Sequence, residues 1–232
     1  SSNKTYYAES FNSSTGCKAS SRKAITATFY PQLSSGGTIS GAQTICYGGN
    51  PTVLGNSSSP VGGNGSYTYQ WQYSNNGSSA WTNITGATAA TYDPSNLNST
   101  RWYRRRATSC GQTLSTNNTI KITVNQISPP TGNGGSRCGP GEMVLTASGS
   151  SSAEYRWYDP NGNLVPGETT STINIDTISQ TTTYEVSAFV GGCESSRVQV
   201  TGTVSALPAQ PTGIGNTRCG SGIISLSASG SP

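Results

Sequence analysis

Ser136-Arg137-Cys138-Gly139-Pro140-Gly141-Glu142-Met143-Val144-Leu145-Thr146-Ala147-Ser148-Gly149 returns as Thr217-Arg218-Cys219-Gly220-Ser221-Gly222-Ile223-Ile224-Ser225-Leu226-Ser227-Ala228-Ser229-Gly230. The copies stand 81 residues apart, Cys219 minus Cys138. A self-match at a fixed distance marks tandem domains and has to be found before anything else is read. Met143, Leu145 and Ala147 alternate in the first copy, as Ile224, Leu226 and Ala228 do in the second, which is the period of a half-buried strand. The second copy stops after one strand, so the chain is expected to end inside a further domain.

Outward from this stretch, the same style of sequence continues. Short alternating runs are bounded by Gly, Pro and Asn, and helical periodicity is absent. In Tyr67-Thr68-Tyr69-Gln70-Trp71-Gln72-Tyr73 the four aromatics fall on one face of a strand. Residues 34–127 and 128–207 each form one complete unit with the order Cys, Trp, Cys: Cys46, Trp71 and Cys110, then Cys138, Trp157 and Cys193. Residues 1–33 carry the strand, cysteine turn and strand plan of residues 181–204, so they read as the C-terminal half of such a unit. Residues 208–232 read as the N-terminal part of another, and Pro129-Pro130 and Pro208 with Pro211 mark stiff linkers. In unit 34–127, strands are predicted at Thr38 to Ile45, Trp81 to Ile84, Ala90 to Tyr92, Arg101 to Thr108 and Thr119 to Val124. The pattern predicts an all-β chain of tandem β-sandwich domains in a linear array, with Trp71, Trp157, Tyr184, Leu145 and Leu226 in the cores.

Composition excludes more than it assigns. Only 9% of the 232 residues are charged, against about 25% in ordinary soluble domains, and Ser, Thr, Asn and Gly take their place. The net charge of +4 is scattered, and the one dense basic run, Arg104-Arg105-Arg106, lies inside a predicted strand, so nucleic acid is not an expected partner. With no histidine, no Ser-His-Asp or Cys-His arrangement can form. The nine acidic residues are dispersed, without a paired-carboxylate site or a calcium loop. No enzyme, metal or cofactor is expected. No apolar run is long enough to span a bilayer. The lack of a signal peptide suggests a piece of a longer chain.

Six cysteines without a CxxC pair point to disulfides, hence to an oxidising compartment. One bridge per domain would join Cys46 to Cys110 and Cys138 to Cys193. Strand parity argues against that. The turn after the first strand and the turn before the last lie at opposite ends of a seven-strand sandwich, roughly 26 Å apart for eight-residue strands, and a disulfide needs Cα atoms within about 7 Å. An inter-domain Cys46–Cys193 pair is favoured, with Cys17, Cys110, Cys138 and Cys219 pairing with further domains.

Two features break the pattern. If Tyr103 faces the core, so does Arg105, where the second unit has Val186. The structural expectation is a guanidinium stacked on Trp71 or a Tyr and reaching a carbonyl. The functional alternative is that Trp102, Arg104 and Arg106 form an exposed ligand face. Trp81 and Tyr158 are either sugar-stacking platforms or covers for the sandwich edge. Triplets such as Asn83-Ile84-Thr85 fit N-glycosylation but are inevitable in this composition.

Arg137-Cys138-Gly139-Pro140-Gly141, Leu145 to Gly149, Tyr155-Arg156-Trp157-Tyr158, Thr183-Tyr184 and Gly192-Cys193-Glu194-Ser195-Ser196-Arg197 together resemble the Ig-like and PKD-like repeats of giant surface proteins of the Bacteroidota. Gly37 to Cys46, Tyr69-Gln70-Trp71-Gln72, Ile84 to Thr88 and Tyr92-Asp93-Pro94 resemble a second common repeat of the same proteins. The resemblance implies Ig-like domains, export by the type IX secretion system and an extracellular, cell-surface location, as in gliding-motility adhesins. It also implies an O-glycosylation acceptor at Thr177 in Asp176-Thr177-Ile178. The expected function is a shaft segment of a surface adhesin or filament. Its partners would be neighbouring repeats, surface polysaccharide or other copies in a filament. The alternatives are a glycan-binding module and a spacer in a secreted enzyme.

Overall fold

The computed structural model describes residues 3–149 and 154–230, all of them strand, turn or loop. The chain divides into two compact units, Ser1–Asn125 and Gln126–Pro232.

The first unit opens with an antiparallel hairpin, β1 (Lys4–Ala8) and β2 (Lys23–Ala27). Its apolar side chains Tyr6, Tyr7 and Ile25 are exposed. The sandwich follows with β3 (Thr38–Ser40), β4 (Gln43–Cys46), β5 (Gly55–Ser58), β6 (Thr68–Ser74), β7 (Thr82–Asn83), β8 (Arg101–Ser109), β9 (Gln112–Ser115) and β10 (Ile120–Asn125). One sheet runs β4-β10-β8-β6-β7 with β9 beside β8, and the other is β3-β5. Ile39 and Leu54 from the small sheet's side meet Trp71, Tyr103, Ile120 and Ile122 from the large one in a single core cluster.

The second unit holds β11 (Thr131–Asn133), β12 (Gly135–Cys138), β13 (Gly141–Ser148), β14 (Glu154–Tyr158), β15 (Thr172–Ile178), β16 (Thr182–Val190), β17 (Cys193–Glu194) and β18 (Val198–Ser205), then a hairpin of β19 (Thr212–Ile214) and β20 (Ser227–Ser229). Its sheets are β11-β13-β15 and β12-β18-β16-β14, with β17 beside β16. Met143, Leu145, Ile173, Trp157, Val186 and Val200 close the core between them. Trp71 and Trp157 have no solvent exposure. Each indole N–H finds a carbonyl in the following loop, Ala89 O and Thr170 O, both at 3.0 Å. A buried Trp N–H without an acceptor would be costly, so the loop is fixed by the ring it caps.

The single strand expected from Thr38 to Ile45 is two strands in two sheets. β3 pairs with β5, and β4 runs parallel to β10. The chain changes sheets at Gly41, whose φ of +117° and close approach to Leu54 leave no room for a side chain. The second unit repeats this: β11 pairs with β13, then β12 runs parallel to β18. Ala90 to Tyr92, expected as a strand, contributes only a bridge between Leu54 and Tyr92.

The 81-residue repeat reaches down to register. Thr131, Gly132 and Asn133 pair with Ser148, Ala147 and Thr146; Thr212, Gly213 and Ile214 pair with Ser229, Ala228 and Ser227. The Arg-Cys-Gly-x-Gly signature has a steric reason. The Arg137 guanidinium lies across Gly141, where a Cβ would collide with it, and donates to Glu142 O at 2.5 Å. Arg218 crosses Gly222 in the same way and donates to Ile223 O at 3.1 Å. Leu226 does not share the fate of its counterpart Leu145. Leu145 is fully buried, whereas Leu226 is 72% exposed, because β19-β20 has no facing sheet among the described residues. The expectation of a core role for Leu226 is corrected accordingly.

Candidate functional site

Cys46 and Cys193 are disulfide-bonded, and Cys17, Cys110, Cys138 and Cys219 are free and exposed. One bridge per domain is excluded within each unit by register. Cys46 stands level with Asn125 at the end of β10, while Tyr103 is level with Ile120 and β8 runs on from there to Cys110. Cys46 and Cys110 are thus about a dozen strand steps apart, roughly 40 Å. In the second unit Cys138 is level with Ser205, whereas Cys193 pairs with Val190 at the far end of β16. The separation is again roughly 35 Å. Cys110 and Cys193 are not equivalent either. Gln112 pairs with Ser109 as Cys193 pairs with Val190. Cys110 instead takes the turn position of Gly191, with φ of +49° against +56°.

The cross-strand partners Trp71↔Arg105 and Trp157↔Val186 set the equivalence of the two large sheets. Arg105 is fully buried opposite Trp71. Its Cζ lies 4.3 Å from the Tyr69 ring centroid and 5.9 Å from that of Trp71. Nη1 donates to Ala90 O at 2.6 Å and Nη2 to Asn56 Oδ1 at 2.8 Å, and Nε has no acceptor. Burial holds its pKa below the ordinary arginine value. The charge survives because aromatic faces and two oxygens replace water.

On the opposite face of the same sheet, alternation places Trp102, Arg104 and Arg106 together, all half-buried. Arg104 lies over the Trp81 ring, 4.4 Å from its centroid, and its Nε donates to Gln72 Oε1 at 2.7 Å. Gln72 in turn donates to Asn83 Oδ1 at 2.7 Å. Lys121 Nζ lies 5.2 Å from the Trp102 centroid. Burial and the neighbouring Arg106 charge both push the Arg104 pKa down. Trp81 is thus held by a guanidinium as part of a cationic face.

Tyr158 is not a platform. It is only 5% exposed, and the Arg197 Cζ lies 3.4 Å from its ring centroid. Its hydroxyl donates to Glu194 Oε1 at 2.5 Å, and Ser187 Oγ donates to the same oxygen at 2.6 Å. Arg156, stacked on Phe189, pairs with Glu194 Oε2 at 3.2 Å, and Arg197 pairs with Glu185 at 3.3 Å. Burial pushes the Glu194 carboxyl up, but the hydrogen bonds from Ser187, Tyr158 and Arg156 outweigh it and hold the pKa below the usual value. This network is closed on itself. The carboxylate that covers Tyr158 lies 36 residues away, so local alternation could not reveal it. Tyr184 packs half-buried against the core, and Thr177 is exposed on β15. No group of acidic or cysteine side chains able to hold a metal occurs among the described residues.

Residues 35–126 match a family model described as "Domain of unknown function (DUF8696)", and residues 128–205 match "Ig-like domain CHU_C associated". No curated protein matches. Among solved structures, the N-terminal four Ig domains of Dscam1 are 11% identical over 87% of this chain and 54% of that one, at a TM-score of 0.34. The chain thus spans about half the length of that structure. A three-Ig structure of titin is 11% identical over 89% and 77%, at 0.39. Fibronectin(III)-like modules of CbhA from Clostridium thermocellum are 12% identical over 77% and 95%, at 0.33. With two sheets closed over a tryptophan core in each unit and an Ig-like domain model matched over the second, the chain is all-β and carries tandem Ig-like β-sandwich domains.

Proposed function

We propose that this chain is a shaft segment of a long extracellular repeat protein, a surface adhesin or filament whose task is mechanical. The observation that carries the reading is the cysteine state: Cys46 and Cys193 are disulfide-bonded while the other four thiols are free. A bond between these two would close a loop of 147 residues, 193 minus 46, that holds most of both domains and leaves β3, β4 and β18 outside it. Tension applied at the ends would then bypass the strands inside that loop and load only the flanking β3, β4 and β18 before reaching the disulfide. A disulfide also supports an oxidising, extracellular setting. The proposed organisation is a partial domain at 1–33, whole domains at 34–127 and 128–207 and a partial domain at 208–232, so that the partners include neighbouring repeats of the same chain. Export by type IX secretion and a role in gliding motility rest on the resemblance of the repeat signatures to those of giant surface adhesins.

Pulling single molecules by their termini, with and without reductant, tests this. The bridged chain withholds the 147-residue loop from extension, and reduction releases roughly 500 Å of contour at ~3.4 Å per residue. Equal extension in both conditions contradicts the reading.

A further inference from the structure

The two domains present the same sheet face with opposite electrostatics. From the partners Trp71↔Arg105 and Trp157↔Val186, Arg104 occupies the place of Glu185 and Arg106 that of Ser187. Thr113, paired with Thr108, occupies the place of Glu194, paired with Phe189. Both carboxylates that neutralise the second domain's face are therefore missing from the first. Residues 34–125 contain Arg101, Arg104, Arg105, Arg106 and Lys121 against Asp93 alone, which accounts for the whole +4 of the chain. Arg101 and Arg105 fall on the core side by alternation with Tyr103, leaving Arg104, Arg106 and Lys121 on the open face. Asp93 follows Tyr92, whose ring packs between Trp71 and Tyr103, so it does not neutralise them.

We infer that this face, built on Arg104, Arg106, Lys121, Trp81 and Trp102, binds an extended carboxylate-bearing polysaccharide. Two half-buried guanidinium groups side by side without a counter-charge are stabilised by a planar anion that accepts paired N–H bonds. The carboxylates of a polyuronate supply that anion where the second domain supplies Glu185 and Glu194. The indoles beside them offer apolar surface for sugar rings, and the half-buried Gln70 carbonyl and Thr113 hydroxyl offer partners for sugar hydroxyls. An open sheet face suits an extended chain better than a small molecule, which needs a concave site. The disulfide-permissive setting favours an acidic glycan over a nucleic acid. The inference stands independently of the shaft reading.

The test is isothermal calorimetry of the intact chain with polygalacturonate, with its fully methyl-esterified form and with single-stranded DNA, at about 0.15 M salt. Binding to polygalacturonate is expected, with loss on esterification and weaker binding of DNA. The pair Arg106→Gln and Lys121→Gln should weaken binding at least about tenfold. Thr113→Glu, which restores the second domain's carboxylate position, should do the same without removing any cation. Arg156→Gln on the second domain should leave binding unchanged. Absence of binding, indifference to esterification, equal binding of DNA, or equal loss with Arg156→Gln would each overturn the inference.

Discussion

The guanidinium of Arg105 lies over the ring of Tyr69, 4.3 Å from its centroid, in a position where the neighbouring domain has the aliphatic Val186. A fully buried cation with no acidic partner holds the loop at Ala90 and the strand at Asn56 together through two hydrogen bonds. Arg105→Ala leaves both oxygens unpaired and opens a cavity. It is expected to destabilise the first domain by about 3–5 kcal/mol in urea unfolding. Arg105→Lys is expected to recover less than half of that, because a point charge cannot serve both acceptors and stack as well.

Gly141 is held at φ +149° beneath the Arg137 guanidinium. Gly141→Ala should lower the stability of the second domain by about 1–3 kcal/mol through backbone strain and displacement of Arg137. Thermal melting of the single substitution, beside the double substitution with Arg137→Ala, checks this. The double variant should recover the part due to collision and retain the part due to backbone strain.

Glu194 has a folded pKa held below its ordinary value by Ser187, Tyr158 and Arg156. A depressed carboxylate contributes stability that is fully present above its unfolded pKa and lost as pH falls through the folded one. The stability of the second domain should therefore fall from about pH 4 downwards. In Glu194→Gln the part of that fall due to this group should vanish, with lower stability at neutral pH. Urea midpoints across pH 2–7 would show it, and an unchanged acid limb in the variant would contradict it.

Much of the fold was legible because it is written in alternation. Tyr69 and Trp71 on one strand and Tyr103 and Arg105 on the next share one face, and parity alone put Arg105 inside. The change of sheet at Gly41 was not legible, because a strand that crosses between sheets keeps its alternation on both sides of the crossing. β5 (Gly55–Ser58) and β9 (Gln112–Ser115) were missed for a different reason. They are polar edge strands whose only signal is backbone pairing. Alternation left Tyr158 open between a platform and an edge cover because what covers it, Glu194 and Arg197, comes from distant residues. The charge contrast between the two faces required residue equivalence across domains, which register supplies and spacing between tryptophans does not.

The most direct measurement is a non-reducing tryptic map of the protein purified from an oxidising compartment. Cleavage after Lys23 and Arg101 isolates Cys46 in peptide 24–101, and cleavage after Arg156 and Arg197 isolates Cys193 in peptide 157–197. These two peptides are expected to run as one species and to separate on reduction. Peptide 24–101 joined to the Cys110 peptide 107–121, or peptide 157–197 joined to the Cys138 peptide 138–156, would contradict it.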